Sequence, residues 1–539
     1  MKGADVIAEI LRREGTEFIT GFPRTPVIES CAALGIRPVL ARQERVGASI
    51  ADGYTRQTNG RRNGVFVSQH GPGAENAFAG AAQAFAENVP VLFLPGGDGV
   101  DRQYSRPVFS AADSYRTVTK WAAQVPSAAR IPDLMRRAYH LMRNGRPGPV
   151  LLEILRDAWE DELAEEIDYA PVPRHRSAPD PADVTRAARM IRAAKRPMIL
   201  AGQGVLWAEA TGALVALAEA ANLPVMTTNP GKSAFPEDHA LALGASLGRS
   251  RPAMAQDFMH SADLVVAIGT SLSRTNFGPV LPAGPKIIHA TNEADDINKD
   301  YRVDHAIIGD AALTCEALAA ELGKAETDNG LRAEIAGLKR DWLAGWEKQL
   351  GSDETPVNQY RVIRDLMNAV DPGNVVITHD SGSPREQLMP FWVATRPRSY
   401  IGWGKSTQLG HGLGLIMGAK LAEPEKLCIN VMGDAAIGMV GMDLETAARA
   451  RIGILTIVFN NGVMAAERDV MKISDDAFGT LAQGGHYCDV ARALGVEARR
   501  VETPDAFRQS LAAAIEATQS GTPALIEVMA KEGYDFSRF

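Results

Sequence analysis

Cysteine is scarce in this sequence, and long apolar runs are missing from it. Only four cysteines occur among 539 residues, and no two of them have a paired spacing: Cys31, Cys315, Cys428 and Cys488. This scarcity favours a reducing cytosol and buried free thiols over disulfides or a zinc site. No apolar run approaches the roughly 20 residues of a membrane span. Residues 1–5 lead directly into an amphipathic helix pattern, without a signal peptide, so we expect a cytoplasmic protein.

The sequence also has fewer basic than acidic residues. The chain has 57 Lys and Arg against 65 Asp and Glu, a net charge of −8, which argues against nucleic acid or an anionic membrane surface as the main partner. With 45% apolar and 23% charged residues, the composition is that of an ordinary globular protein. The length is too great for one core and suggests about three domains.

Strand-like and helix-like segments alternate throughout, which is the α/β pattern. Two breaks, a Pro-, Arg- and Ser-rich stretch at 169–181 and a second at 351–356, divide the chain. They predict three domains of similar size, with bounds near 1–170, 182–345 and 356–539. Residues 531–539 are either a loose tail or a lid, and tails are more often loose.

Two strand-length apolar runs in the third segment end in polar side chains. Residues 427–432 lead into Asp434, and residues 454–459 lead into Asn461. A crossover helix predicted at 441–451 makes the two strands parallel, so their carboxyl ends lie side by side. Asp434 and Asn461 then form an oxygen-only site, which suits Mg²⁺ holding a diphosphate and suits zinc poorly. The alternative is an ordinary βαβ unit with polar strand ends.

The first segment carries one carboxylate of interest. Glu44 follows a strand predicted at 36–40 and begins a helix, where the helix dipole favours a negative charge. Further elements are predicted as a strand at 65–68, a helix at 76–87 and a strand at 89–94. By itself, Glu44 is a solvated surface residue.

These motifs resemble those of thiamine diphosphate (ThDP) enzymes. The ThDP motif opens Gly-Asp-Gly and closes Asn-Asn; here Gly433-Asp434 and Asn460-Asn461 match it, whereas Ala435 replaces a glycine and narrows the backbone approach to phosphate. Residues 42–54 and 71–76 resemble the pyrimidine-binding domain of acetohydroxyacid synthases and benzoylformate decarboxylases. The resemblance implies three doubly wound parallel-sheet α/β domains: pyrimidine-binding, Rossmann-like central, and diphosphate-binding.

The resemblance also implies roles for individual residues. Glu44 would hydrogen-bond N1′ of the pyrimidine and so activate C2–H of the thiazolium. Leu409 would wedge between the two rings, and the Thr407 carbonyl would accept from the 4′ amino group. Mg²⁺ would bind Asp434, the Asn461 side chain and the Val463 carbonyl, besides diphosphate and water. The remaining implied cofactor contacts are Gly382, Ser383, Gly433, Ala435 and Ala436.

The central segment resembles a domain that binds FAD or ADP in some relatives and nothing in others. Residues 271–277 do not match the arginine-rich FAD-contacting loop of acetohydroxyacid synthases. We therefore expect an empty, structural central domain; FAD is possible but not favoured.

The substrate side of the site is less well specified. Gln69 and His70 are further catalytic candidates, although His70 is equally a turn residue. Arg24, near Thr25, either binds a 2-oxo acid carboxylate or lies on the surface. Met464 and Glu467 follow the metal motif. Glu467 aligns with a catalytic Glu of the pyruvate decarboxylase branch alone, and is otherwise an exposed helix residue.

Two reactions on 2-oxo acids fit the resemblance. The first is decarboxylation followed by carboligation, as in acetolactate synthases. The second is decarboxylation with release of an aldehyde, as in benzoylformate decarboxylases. A ThDP-binding scaffold without activity is a third possibility, against which the retention of Glu44, Asp434 and Asn461 argues. The resemblance further implies a homodimer or homotetramer whose active sites are shared between subunits.

Overall fold

Three parallel sheets organise the molecule. The computed structural model describes residues 1–539 except 165, 247–249, 276, 277, 279, 325–329, 534, 535, 538 and 539. Each sheet has six strands, and helices cover both faces. The predicted architecture of three doubly wound α/β domains is therefore confirmed. No helix within the described ranges is both long and apolar enough to cross a membrane.

The first sheet has the strand order β2-β1-β3-β4-β6-β5. Its strands are β1 (Phe18–Gly21), β2 (Arg37–Leu40), β3 (Val65–Ser68), β4 (Leu92–Gly97), β5 (Trp121–Val125) and β6 (Val150–Leu155). Its helices are α1 (Gly3–Arg13), α2 (Pro26–Ala33), α3 (Glu44–Gln57), α4 (Pro72–Ala86), α5 (Ala111–Ser114), α6 (Ile131–Arg143) and α7 (Arg156–Glu160). Helix α4 begins four residues before the predicted start, because proline is favoured in the first helical turn. Strand β4 lies three residues beyond its predicted position.

The second sheet has the order β12-β11-β10-β7-β8-β9, which is the Rossmann arrangement. Its strands are β7 (Pro197–Ala201), β8 (Val225–Thr228), β9 (Ala242–Ser246), β10 (Leu264–Ile268), β11 (Lys286–Thr291) and β12 (His305–Ile308). The helices are α8 (Pro181–Ala193), α9 (Gln203–Trp207), α10 (Thr211–Ala221), α11 (Ala253–Ser261), α12 (Ala311–Leu322) and α13 (Leu331–Leu350).

The third sheet, ordered β14-β13-β15-β16-β18-β17, repeats the strand order of the first. Its strands are β13 (Val375–His379), β14 (Tyr400–Ile401), β15 (Leu427–Gly433), β16 (Ile454–Asn460), β17 (Glu497–Val501) and β18 (Ala524–Met529). The helices are α14 (Gln359–Ala369), α15 (Ser383–Phe391), α16 (His411–Ala422), α17 (Asp434–Val440), α18 (Leu444–Arg449), α19 (Lys472–Phe478), α20 (Tyr487–Ala493) and α21 (Pro504–Gln519). The crossover helix predicted at 441–451 is present as a 3-10 turn (Gly441–Asp443) followed by α18, but the prediction missed α17, which precedes them in the same crossover.

The long helix α13 reaches the third domain. Trp342 stacks on Phe391, with 5.0 Å between ring centroids, and Trp346 meets the same ring edge-on. Helix α13 therefore continues past the predicted bound at 345, and the domain bounds remain predictions. The described end of the C-terminal tail is docked, because Ser537 is buried, donates from Oγ to the Arg251 carbonyl and accepts from the Trp342 indole.

Helices α3 and α16 join the first domain to the third. They approach so closely that a Cβ added at Gly53 would lie 1.9 Å from the Leu415 carbonyl oxygen. On the facing helix, a Cβ at Gly418 would lie 2.0 Å from the Ile50 carbonyl oxygen. Glycine is required here because no other residue allows the two backbones this proximity.

We expect Gly418→Ala to destabilise the protein by about 1–3 kcal/mol, because the added methyl group overpacks the α3–α16 contact. Thermal or urea unfolding measures the change. The matched control is Gly212→Ala in α10, where an added Cβ meets nothing within 4 Å. The control should be neutral or stabilising by up to about 1 kcal/mol, since alanine is the better helix former. Equal stabilities for the two variants would contradict the close contact.

Candidate active site

Sheet topology brings the predicted residues to two separate places. In the first sheet the strand order reverses between β1 and β3, and in the third between β13 and β15. Ligands of open α/β sheets bind in the crevice outside the carboxyl ends of strands at such a reversal. The predicted pyrimidine-side residues follow β1, β2 and β3, and the predicted diphosphate-side residues follow β13, β14, β15 and β16.

The pyrimidine side is centred on Glu44, the first residue of α3. Its side chain is buried, with 5% exposure, and Oε2 accepts a hydrogen bond from Asn76 Nδ2 at 3.2 Å. Glu44 is therefore not the solvated surface residue that its position alone suggested. Gln69 and His70 follow β3, where His70 is exposed and Gln69 half-buried. Both lie at the edge of the sheet that Glu44 shares.

Arg24 and Thr25 belong to the same edge, after β1. Arg24 is exposed, whereas Thr25 is buried at the start of α2. The Thr25 hydroxyl has no hydrogen-bond partner among the described residues. The two residues thus differ in character, since one presents a charge to solvent and the other a buried polar atom.

The diphosphate side is an open cleft of about 510 Å³ in the third domain. Every predicted cofactor residue except Thr407 lines it, together with the candidate substrate residue Met464. Gly382 has φ +86, and an added Cβ there would meet nothing within 4 Å, so the backbone is open to a ligand. Glu467 does not line the cleft. The backbone carbonyl of Glu467 accepts hydrogen bonds from the amides of Val470 and Met471.

None of the pyrimidine-side candidates is among the described residues that line this cleft. Glu44, Gln69, His70, Arg24 and Thr25 all remain at the first sheet. These two groups, the pyrimidine-side residues at the first sheet and the diphosphate-side residues at the third, are termed the two half-sites.

Asp434 organises the oxygen donors of the cleft. Its carboxylate is buried; Oδ1 accepts from the Ala435 amide at 2.8 Å, and Oδ2 accepts from the amides of Asn461 and Gly462 at 3.1 and 2.7 Å. Burial raises the pKa of Asp434, although these amides act in the opposite direction. A cation bound here would favour the ionised form.

The donor set fits a hard divalent cation bound together with phosphate. Asp434, Asn461 and Val463 offer a carboxylate, an amide and a backbone carbonyl, which suit Mg²⁺. The parts of the chain that the structure describes contain no group of three or more His, Cys, Asp or Glu able to hold a metal alone. The remaining ligands would thus come from the diphosphate and water.

Three buried carboxylates that the sequence did not single out position the loops around the cleft. Asp380, after β13, accepts from the amides of Ser381, Gly410 and Gly412 at 2.8–2.9 Å, so it ties the Gly382 turn to the Leu409 loop. Burial raises the pKa of Asp380 to about 6.

The second of these carboxylates belongs to the first domain. Glu87 accepts from the amides of Gly404 and Lys405 at 2.7 and 2.6 Å. It therefore holds the loop that carries Thr407 and Leu409. The sequence offered little indication that Glu87 is buried, because a glutamate at the end of a helix is ordinarily a surface residue.

The third is Glu527, in the middle of apolar strand β18. It accepts from Asn460 Nδ2 at 2.6 Å and from the Cys488 amide at 3.0 Å. The side chain of Asn460, the first asparagine of the Asn-Asn pair, is therefore hydrogen-bonded to Glu527. The side-chain oxygen of Asn461, the second, accepts from the Val463 amide at 3.1 Å. A charged residue inside an apolar strand was the signal that could have revealed this contact.

The central domain also has a pocket at its strand reversal. Gln203 follows β7 and Gly269 follows β10, and Lys405 of the third domain completes the wall. Lys405 Nζ donates to Ser271 Oγ at 3.0 Å, and burial lowers the pKa of Lys405 to about 8. Part of the 271–277 segment, at 276 and 277, lies outside the described residues. The expectation of an empty central domain stays a prediction.

Comparisons with known proteins match three separate parts of the chain. Models of thiamine pyrophosphate enzymes match in three parts: the N-terminal TPP binding domain at 1–120, the central domain at 184–318 and the C-terminal TPP binding domain at 380–528.

Relatives also match this chain over nearly its whole length. A protein named probable acetolactate synthase large subunit, from Methanocaldococcus jannaschii, is 30% identical over 98% of this chain and 92% of its own length. An acetolactate synthase large subunit from Haemophilus influenzae is 27% identical over 95% and 91%, respectively. A glyoxylate carboligase from Escherichia coli O157:H7 is 26% identical over 98% and 93%. The chain therefore belongs to the ThDP-dependent enzymes of the acetolactate synthase superfamily, which form carbon–carbon bonds.

Proposed function

We propose that this protein is a ThDP- and Mg²⁺-dependent carboligase that decarboxylates a 2-oxo acid and joins the remaining fragment to a second carbonyl, as acetolactate synthases do. The observation that carries the proposal is similarity to proteins of that name over nearly the whole chain. The cofactor supplies the electron sink for both steps. The protein residues bind, orient and control protons around it.

The lining of the cleft supports carboligation over aldehyde release. Beyond Asp434 the substrate side is apolar, with Leu409, Met464, Ala465 and Ala466. Aldehyde release requires a proton to be delivered to the fragment left after decarboxylation. Glu467, the candidate donor of the pyruvate decarboxylase branch, does not line the cleft, which disfavours release in the manner of that branch. An apolar wall leaves the fragment available to a second carbonyl compound.

We further propose a homodimer, or a homotetramer built from two dimers, in which Glu44 of one subunit meets the cleft of another. The position of the two half-sites at different sheets of the chain supports this assembly. Five apolar side chains of the third domain are more than half exposed, on segments that follow β15 and β16: Met439, Met442, Val470, Ile473 and Phe478. A partner surface would cover them.

Small molecules are the proposed partners, and the cytosol is the proposed location. The four cysteines are free and buried, which suits a reducing compartment. Within the proposed site, Arg24, Thr25, Gln69 and His70 would face the substrate from the subunit that provides Glu44. FAD is not part of the proposal.

The reaction is tested with a panel of 2-oxo acids, beginning with pyruvate, in the presence of ThDP and Mg²⁺. We expect a carbon–carbon-joined product by mass spectrometry and one CO₂ released for every two 2-oxo acids consumed. Release of an aldehyde with one CO₂ per 2-oxo acid would favour the decarboxylase alternative. Neither turnover nor exchange of the cofactor C2 proton would favour the inactive scaffold.

The metal site is tested by adding ThDP and Mg²⁺ together to protein stripped with a chelator. Ligand at about 100 times its Kd should stabilise the folded state by about 2.7 kcal/mol. Asp434→Ala should lose this gain, because it removes the charged metal ligand, whereas Asp341→Ala on an exposed face of α13 should keep it. Unchanged ThDP affinity in Asp434→Ala would overturn the metal assignment.

The role of Glu44 is tested by Glu44→Gln. We expect cofactor affinity to change little, because the diphosphate and the metal provide most of the binding contacts. Exchange of the thiazolium C2 proton with deuterium, read by NMR in quenched samples, should slow by about 10²–10⁴-fold. Exchange at the parent rate would show that Glu44 is not the activating carboxylate.

The same two variants test the shared site. Glu44→Gln and Asp434→Ala, each expected to be nearly inactive alone, are coexpressed so that half of the dimers are hybrids. Each hybrid has one intact site if the half-sites come from different subunits, so about a quarter of the parent activity should return. No recovery in confirmed hybrids would place both half-sites in one chain.

A further inference from the structure

A carboxylate of the third domain holds the link between β2 and α3. Asp443 is 1% exposed and ends the 3-10 turn that follows α17. Its Oδ1 accepts a hydrogen bond from the Arg42 amide at 2.7 Å, and the carboxylate also accepts from the Gln43 amide. These two residues directly precede Glu44, the first residue of α3. A side chain 401 positions from Arg42 therefore holds the backbone from which Glu44 projects.

The start of α3 needs an acceptor of this kind. The first N–H groups of a helix have no partner within it, and a side-chain oxygen at the N-cap ordinarily supplies one. Here the side chain of the N-cap residue, Gln43, makes no capping hydrogen bond within the described part of the chain. The Ala41 amide donates to the Gly21 carbonyl of β1 at 2.8 Å. Asp443 thus holds the two residues of the link that follow this contact with the first sheet.

The same crossover makes a second contact with the link, which is more exposed. Arg449 of α18 donates to the Leu40 carbonyl at 2.6 Å, but its side chain is 48% exposed and also pairs with Glu445. Exposed pairs of this kind contribute little to stability. Asp443 is buried, and Thr446 Oγ1 donates to its Oδ1 at 2.9 Å, which orients the carboxylate. The specific contact with the link is therefore that of Asp443.

The charge of Asp443 strengthens its hold on the link. Burial raises the pKa of Asp443 to about 6, whereas the hydrogen bonds from the Arg42 amide and the Thr446 hydroxyl act in the opposite direction. The carboxyl group is therefore ionised at neutral pH. Hydrogen bonds to an ionised acceptor are stronger than those between neutral groups. Their loss would leave the backbone amides of the link without these partners.

The direction of the Glu44 side chain depends on the conformation of this link. The side chain is buried, and its Oε2 accepts from Asn76 Nδ2 at 3.2 Å. Asn76 thus holds the tip of the side chain, whereas Asp443 holds the backbone at its base. A carboxylate that must meet one ring nitrogen has to be placed accurately, since a displacement of about 1 Å can cost about 10²-fold in rate.

We propose that Asp443 is a positioning residue for catalysis, which holds the link before α3 so that Glu44 meets the pyrimidine ring of the cofactor. The inference rests on the proposed ThDP- and Mg²⁺-dependent function, in which Glu44 activates the cofactor. It assigns a role at the Glu44 half-site to a side chain of the third domain. In the proposed dimer, the chain that provides Asp443 is the chain that provides Glu44.

The contact itself is tested on the cofactor-free protein by amide hydrogen exchange and mass spectrometry. In Asp443→Ala, the amides of residues 41–45 should exchange about tenfold faster or more, since hydrogen bonds to a charged group are lost. Peptides from α12 in the central domain should exchange at the parent rate. Parent-rate exchange at 41–45 would contradict the proposal.

The catalytic consequence is tested by exchange of the C2 proton of ThDP bound with Mg²⁺. In Asp443→Ala we expect this exchange to slow by about 10–10²-fold, whereas the Kd for ThDP should change less than about twofold. Asp443→Asn keeps one acceptor oxygen and loses the charge, so it should slow the exchange to a smaller extent. It replaces Asp443→Ala if that variant does not fold.

A double variant separates positioning from general damage to the structure. Asp443→Ala combined with Glu44→Gln should exchange the C2 proton within about twofold of Glu44→Gln alone, because a residue that acts only through Glu44 then has no carboxylate to position. If the two losses multiply instead, Asp443 acts independently of Glu44 and the proposal is wrong.

The matched control is Asp310→Ala in the central domain. Asp310 is also a buried carboxylate that accepts from two backbone amides, those of Ala312 and Leu313 at the start of α12. The control should lose stability but exchange the C2 proton at the parent rate. Slowed exchange in it would show that the loss of any such carboxylate suffices, which would overturn the proposal.

The parent protein separates the two levels of inference. If it neither binds ThDP with Mg²⁺ nor exchanges the C2 proton, the proposed function fails and the role of Asp443 fails with it. If the parent protein exchanges the proton and Asp443→Ala does so equally fast, the assignment of Asp443 alone is overturned.

Discussion

The contact between α3 and α16 is the constraint on which the rest of the arrangement depends. Glycines on both helices allow backbone-to-backbone contact between the first and third domains. Arg56, which is buried and ion-paired within α3 to Asp52 at 2.6 Å, reinforces the junction by donating from Nη1 to the Gly402 carbonyl of the third domain at 3.3 Å. Since α3 begins at Glu44 and α16 follows the Leu409 loop, this packing sets the position of Glu44 relative to the Leu409 loop in the chain.

Buried carboxylates then hold the loops that follow the sheet strands in fixed positions. Asp380, Asp434, Glu87 and Glu527 each accept from backbone amides or an amide side chain of another segment. Burying a carboxylate is unfavourable unless such donors satisfy it, so each of these contacts strongly specifies one loop conformation. The cleft consequently keeps its oxygen donors together without a cationic side chain among the described residues of its wall.

The first and third domains are similar, and the proposed enzyme would use a site in each of them. The first and third sheets have the same strand order, and each offers the crevice at its strand reversal. In the proposed enzyme, one crevice would provide the Glu44 carboxylate and the other the site for diphosphate and metal, and the chemistry would need both. Assembly of two chains would unite them, and it would cover the exposed apolar side chains of the third domain.

The sequence by itself determined the α/β class, the three parallel sheets and most of the diphosphate cleft. Apolar runs that end in Asp434 and Asn461 are local signals, and topology rules place their ends together. Only the tertiary structure decided that Glu44 is buried against Asn76 and that Asn460 donates a hydrogen bond to Glu527. It also decided that Thr407 and Glu467 do not line the cleft. Those outcomes depend on contacts between residues 32 to 67 positions apart or on the path of a loop. Hydrophobic periodicity carries no information about such contacts, because it reports which face of an element is buried and not what polar atom it meets.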